Sequence, residues 1–155
     1  MKTAVFRLSC IYGTRQFGVE DQGWVAWFTI ATVTGKPITI YGDGKQVRDV
    51  LYVKDIVDAF DAFLKRSKIL TGEVFNIGGG PRNTLSLIEL IDLLRKLTGK
   101  RSKIKYSDWR PSDQKVYVSD ISKAEEKLKW SPKVSPLDGV QKLVNWVTQN
   151  RLLFR

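Results

Sequence analysis

The 155-residue sequence has no histidine, one cysteine, one methionine and five prolines. Without histidine there is no Ser-His-Asp triad, no Cys-His dyad and no imidazole ligand for a metal. One cysteine, Cys10, makes neither an internal disulfide nor a thiolate zinc cluster, and such a residue commonly serves as a small buried hydrophobe. No metal site is expected. No apolar run reaches the roughly 18 residues that a membrane-spanning helix needs. The opening string Met1-Lys2-Thr3-Ala4-Val5-Phe6-Arg7 is charged again by residue 7 and lacks the apolar centre of a signal peptide. The expected location is cytoplasmic.

Hydrophobic residues make up 43% of the chain, with five Trp, five Tyr and seven Phe. That composition is globular rather than disordered. A chain of this length buries roughly two thirds of its unfolded surface, enough for one domain without staples. Lysine and arginine outnumber aspartate and glutamate 26 to 16, a net charge of +10. Such an excess fits a polyanion surface or a site for a small anionic ligand. The densest basic run holds Arg95, Lys96, Lys100, Arg101, Lys103 and Lys105. It lies where a helix is expected to end, and cations there stabilise the helix. Basic residues do not alternate with aromatics in a nucleic-acid pattern, so a basic polyanion- or nucleic-acid-binding module is the alternative reading.

Strands are expected at 4–8, 37–41, 47–53, 73–77 and 103–106, from short apolar or alternating runs. Residues 12–18 read as loop. Residues 24–34 are apolar on most sides and read as a buried helix ended by Gly35. Gly42-Asp43-Gly44-Lys45 reads as a tight turn, which makes the strands on either side a candidate hairpin. Asp55 is expected to cap a helix carrying Ile56, Val57, Phe60, Phe63 and Leu64, and Thr84 or Ser86 to cap one that Gly99 ends. A short capped helix at 120–128 and an amphipathic helix at 137–153 complete the order. The fold class is α/β, as a small domain of α+β character.

Two apparent motifs fail on spacing. Tyr41 and Lys45 spell Tyr-x-x-x-Lys, but the glycines between them favour a turn over the helical repeat that aligns such a pair. Gly78-Gly79-Gly80 is followed by Asn83 where a dinucleotide fingerprint needs a third glycine. Arg48 follows the 42–45 turn. A guanidinium held there can grip phosphate through two hydrogen bonds, or pair with Asp49 or Asp55. Arg110 stands beside the stiff Pro111, and two such arginines in one cleft suit a diphosphate. Tyr41 can stack on a base.

The string from Pro37 through Ile40-Tyr41-Gly42-Asp43-Gly44-Lys45-Gln46-Val47-Arg48-Asp49 to Asp55 resembles the substrate segment of the extended short-chain dehydrogenases, the NAD-dependent nucleotide-sugar epimerases and dehydratases. Three further stretches match in order: Phe6-Arg7-Leu8-Ser9-Cys10-Ile11-Tyr12-Gly13, Val74-Phe75-Asn76-Ile77-Gly78-Gly79, and Arg110-Pro111-Ser112-Asp113 through Asp120 to Trp130-Ser131-Pro132. Within the family, residues 9–18 and Asp21-Gln22-Gly23-Trp24 look most like CDP-paratose (CDP-tyvelose) 2-epimerases. The resemblance covers nearly the whole chain.

It implies that Arg48 and Arg110 grip the diphosphate of a nucleotide sugar. Thr39 and Tyr41 would line the base pocket, with Asn76 beside it. The backbone of Leu8, Ser9 and Cys10 would approach a nicotinamide ring, and Cys10 would face the sugar diphosphate. Gln22, Gly23 and Trp24 would belong to a loop and helix closing over the substrate. Family members also carry a dinucleotide-binding half with a glycine-rich NAD loop and a catalytic Tyr-x-x-x-Lys, which do not occur in this sequence. The expectation is therefore the C-terminal part of an extended Rossmann-type epimerase. Residues 1–155 would form a single substrate-binding domain, with 3–18 the remnant of the Rossmann sheet and its following loop. It would bind a nucleoside-diphosphate sugar, CDP-linked, with no catalytic residue of its own. NAD would act only on completion by a complementary NAD-binding half. That half, or a second copy, would be met through the N-terminal strand; neither membrane nor nucleic acid is an expected partner.

Overall fold

The computed structural model describes residues 1–154. Among the described residues, eight strands in three small sheets are interspersed with five helices. Strand β1 (Ala4–Leu8) lies parallel to β5 (Glu73–Ile77), with Ala4 opposite Glu73 and Leu8 opposite Ile77. Strand β4 (Val47–Tyr52) is the hub of the second sheet. Its second half pairs in parallel with β2 (Cys10–Tyr12), and its first half takes β6 (Thr84–Ser86) antiparallel and β8 (Val116–Tyr117) parallel. Strand β3 (Ile38–Tyr41) pairs in parallel with β7 (Ile104–Ser107). Parallel pairing needs crossover connections, and the helices supply them.

Helix α1 (Trp24–Thr34) explains its own composition. Eight of its residues are buried, so it is apolar all round. Its buried Thr29 spends its hydroxyl on the Val25 carbonyl at 2.8 Å, which removes the cost of an unpaired polar group. Gly35 closes it in the left-handed conformation. Around α1 one core gathers Ile38 and Ile40 of β3, Leu90 and Leu94 of α3 (Leu87–Thr98), and Val140 and Leu143 of α5 (Pro136–Gln149). A second core holds Ile56 and Phe63 of α2 (Val53–Arg66), Phe75 and Ile77 of β5, and Leu128 of α4 (Ser122–Leu128).

The hairpin expectation is corrected: β3 and β4 do not pair. The last carbonyl of β3, on Tyr41, accepts from the Gln46 side chain at 2.8 Å, and the Gly42 N–H donates to Ser107 in β7 at 2.9 Å. Both groups that would begin a hairpin ladder are thus already taken. Asp55 is not the cap of α2. Tyr52 holds that position, and Asp55 sits buried in the first turn, where its carboxylate accepts the N–H groups of Lys133 and Val134 at 3.2 and 3.0 Å. Of the apolar residues expected inside α2, Val57, Phe60 and Leu64 are exposed. Ser86, not Thr84, caps α3, through a capping box with Glu89. Tyr12 ends strand β2 rather than opening a loop, and the last helix stops at Gln149 before a 3-10 turn over Arg151–Phe154.

Candidate functional site

Period-two geometry builds one wall. Along β3, Ile38 and Ile40 point into the core, so Thr39 and Tyr41 point the other way, into a cleft of about 300 Å³. The turn after β3 places a second wall. Gly42 has φ +89° and lies so close to the Trp109 ring that a Cβ there would come within 2.5 Å of it. Only glycine satisfies both conditions. Trp109 leads directly to Arg110, Pro111, Ser112 and Asp113, all of which line the cleft. The N-terminal end of α1, with Gly23 left-handed at its cap, brings in Gln22, Gly23 and Trp24. Strand β4 supplies Arg48, and Cys10 at the start of β2 completes the lining from below.

Eight of the nine substrate-site residues expected from sequence therefore share one cleft: Arg48, Arg110, Tyr41, Thr39, Cys10, Gln22, Gly23 and Trp24. Asn76 does not. It lies on β5, its side chain donates to the Asp120 carbonyl at 3.2 Å, and it is not among the lining residues. Ser9 is a staple: its hydroxyl donates to the Asp49 carbonyl at 2.9 Å and to the Asp49 carboxylate, and its N–H donates to Ile77. Leu8 is 47% exposed at the end of β1.

The two arginines are held differently. Arg48 donates to Asp113 at 2.7 Å and to the Val47 carbonyl at 2.9 Å, with only 15% of its side chain exposed. Neither Asp49 nor Asp55 is its partner. Both are buried and occupied elsewhere: Asp49 with Ser9 and the Gly80 N–H, Asp55 with the 133–134 amides. Arg110 lies over the Tyr41 ring, 4.0 Å from its centroid, and donates to the Asp21 carboxylate at 2.9 Å and to the Glu20 carbonyl at 3.3 Å. The Tyr41 hydroxyl donates to Glu20 at 3.0 Å. Burial pushes the Cys10 thiol above its ordinary pKa; the Trp24 indole opposes this, Asp49 adds to it, and Arg48 opposes it. Cys10 is thus a neutral thiol at pH 7, and the cations lining the cleft are Arg48 and Arg110, each paired with a carboxylate.

Sequence reasoning gave no role to Gln46, Asp113, Glu20 and Asp21, yet all four line the cleft. Gln46 is 5% exposed and ties the cleft together, its amide donating to Tyr41 and, at 3.4 Å, to Asp113. Asp113 and Asp21 stood inside the strings that carried the resemblance; their pairing with residues 65 and 89 positions away had no local signal.

A cradle for a dinucleotide is another matter. Gly78, Gly79 and Gly80 follow β5 but lead into β6 rather than a helix, and the Gly80 N–H already serves a carboxylate, that of Asp49. Ser9 has no free donor. The 78–80 turn therefore does not open a dinucleotide-binding helix.

The family model of the GDP-mannose 4,6 dehydratases matches residues 3–143. The chain belongs to that family. Its sequence falls within the extended short-chain dehydrogenases, the family that includes nucleotide-sugar epimerases and dehydratases. It is 44% identical to the CDP-paratose 2-epimerase of Salmonella typhi over 153 residues, covering 96% of this chain and 45% of that one. It is also similar to the crystal structure of the UDP-glucuronic acid 4-epimerase of Bacillus cereus in complex with UDP-glucuronic acid and NAD, at 33% identity and a TM-score of 0.85, over 97% of this chain and 46% of that one. The UDP-glucose 4-epimerase of Thermotoga maritima with UDP-glucose follows at 35% identity and a TM-score of 0.82, over 96% and 46%. The chain spans about half the length of the relatives it matches. No helix among the described residues is long and apolar enough to cross a membrane.

Proposed function

We propose that this chain forms the nucleotide-sugar-binding portion of an NAD-dependent epimerase or dehydratase. The observation that carries the reading is the convergence of Arg48 and Arg110, from elements 62 residues apart, on a cleft floored by the Tyr41 ring and Thr39. A guanidinium pair suits the two phosphates of a nucleoside diphosphate, because each presents a planar fork of donors to a phosphate's oxygens. A tyrosine ring suits a base by stacking. The name of the Salmonella typhi relative makes a CDP-sugar the first ligand to try.

In this reading the chain binds and orients; it does not move the hydride. Arg48, clamped by Asp113, fixes one phosphate, and Arg110 takes the other. Cys10, neutral and half-buried, lies against the sugar side of the diphosphate. Tyr41 and Lys45 are no proton-transfer pair: Tyr41 ends β3 and Lys45 lies beyond two left-handed glycines. NAD supplies the hydride acceptor when held by residues outside this sequence, because transient oxidation of a sugar needs both that acceptor and a base. The surface for such a partner is β1 and the outer face of α2. Among the described residues β1 pairs only with β5, so its other edge is open. Val5, Leu8, Val57, Phe60 and Leu64 are exposed there, and Phe6 joins the two elements by packing edge-on to Phe60, with ring centroids 5.2 Å apart.

Titration calorimetry against CDP, UDP, dTDP, GDP and NAD at two salt concentrations tests the reading. One nucleoside diphosphate should bind selectively at both salts, and NAD should not bind. Failure of all four diphosphates overturns it. Binding that ignores the base and collapses with salt also overturns it, since that is the signature of phosphate neutralisation alone.

A further inference from the structure

The two cleft arginines are both paired with carboxylates, but the pairs are built for different uses. Arg48 and Asp113 are 15% and 23% exposed, and the Gln46 amide also reaches Asp113. That pair is embedded and fixed. Arg110 and Asp21 are 36% and 88% exposed. Asp21 sits at the tip of a small loop whose ends close on themselves, Val19 N–H to Gln22 carbonyl and Gln22 N–H to Val19 carbonyl, each at 3.0 Å. The base of that loop is tightly packed. Gly18 packs so tightly on the start of α1 that a Cβ would come within 2.5 Å of the Trp27 nitrogen, and Gly23 is held left-handed. The tip is held differently. Side-chain groups at the water surface hold it to the other wall: Arg110 to Asp21 and to the Glu20 carbonyl, and the Tyr41 hydroxyl to the Glu20 carboxylate.

We propose that Asp21 is a placeholder anion for Arg110, and that this exchange makes Asp21 a determinant of how the cleft selects diphosphates. The inference rests on the functional reading above. A nucleotide with one phosphate is met by Arg48, which lines the cleft beside its Asp113 partner, and leaves the Asp21–Arg110 contact closed. A second phosphate reaches Arg110 and must displace Asp21. The carboxylate leaves for water at small cost because the pair is exposed, whereas Asp113 stays on Arg48. Releasing Arg110 also removes two of the three side-chain contacts on the 19–22 tip, leaving the Tyr41–Glu20 hydrogen bond. Diphosphate binding and loosening of the loop are then one event.

The test is calorimetry of wild type, Asp21→Asn, Arg110→Ala and the double variant against CDP, CMP and cytidine, or the matching set for whichever diphosphate binds best. Asp21→Asn removes the competing charge at nearly constant shape. It should tighten CDP binding by about two- to fivefold, the range expected of an exposed ion pair, and leave CMP and cytidine unchanged. The gain should vanish in the Arg110→Ala background. Unchanged or weaker CDP binding, an equal gain for cytidine, or a gain that survives without Arg110 overturns the proposal. Amide hydrogen exchange on the ligand-free chain gives a separate reading. Asp21→Asn should speed exchange at residues 19–22, and unchanged exchange overturns the placeholder role even if every nucleotide binds. Failure of wild type to bind any of the ligands, with exchange accelerated as expected, counts against the nucleotide reading and not against the loop contact.

Discussion

Arg48→Ala removes the more deeply held of the two cleft arginines. Hydrogen bonds to charged groups contribute about 1.5–3 kcal/mol, so losing the contact should raise the Kd for the preferred nucleoside diphosphate by about 13- to 160-fold. The structure places the effect in the upper part of that range. Arg48 is only 15% exposed, so water replaces it poorly, and its loss leaves the Asp113 carboxylate uncompensated in a cleft that has to accept phosphate. Arg48→Lys keeps the charge without the planar fork and should fall between wild type and Arg48→Ala. Calorimetry measures each Kd, with circular dichroism confirming that the variants are folded. A folded Arg48→Ala chain that binds within about twofold of wild type would refute the assignment of the diphosphate to this arginine.

Gly42→Ala should destabilise the chain by roughly 2–5 kcal/mol, because a left-handed φ is costly for an L-residue and the Trp109 ring must move; an unchanged melting temperature contradicts this. Glu73 is held at a pKa of about 2, below its ordinary 4.5, by hydrogen bonds from Lys123 and Lys127 of α4. A depressed carboxylate stabilises the fold above its unfolded pKa and loses that contribution as pH falls through its folded one. Glu73→Gln should therefore melt lower than wild type at pH 7, and the two should converge between pH 4.5 and about 2; a difference independent of pH excludes the ion pairs as the cause. Cys10 should react slowly with iodoacetamide at pH 7, faster as the pH rises, and more slowly with nucleoside diphosphate present, whereas fast labelling at pH 7 would contradict its buried thiol.

Local patterns carried much of the fold. The alternation of Ile38, Thr39, Ile40 and Tyr41 already separated core from cleft, and the all-round apolarity of residues 24–34 already made α1 an interior helix. Ser86 and Gly99 marked the ends of α3 by ordinary capping chemistry. The hairpin was misread because a tight turn does not determine what its flanking strands pair with. Here the Gln46 side chain, a long-range neighbour of Asp113, takes the carbonyl that a ladder would use. Asp55 looked like a cap in sequence, yet its partners are the amides of residues 133 and 134, nearly 80 positions on. The cleft divides the same way. Its arginines and tyrosine were legible from turn and proline chemistry and from the family strings. The acids that hold those arginines were not, because a carboxylate next to a glutamine or a serine carries no mark of the guanidinium it will meet across the fold.

The most direct test of the account is a crystal structure of the chain with the tightest-binding nucleoside diphosphate. The account predicts the base against Tyr41, one phosphate on Arg48 with Asp113 still paired to it, and the other on Arg110 with Asp21 displaced. A nucleotide bound elsewhere on the chain, or bound in the cleft with its phosphates touching neither arginine, would contradict it.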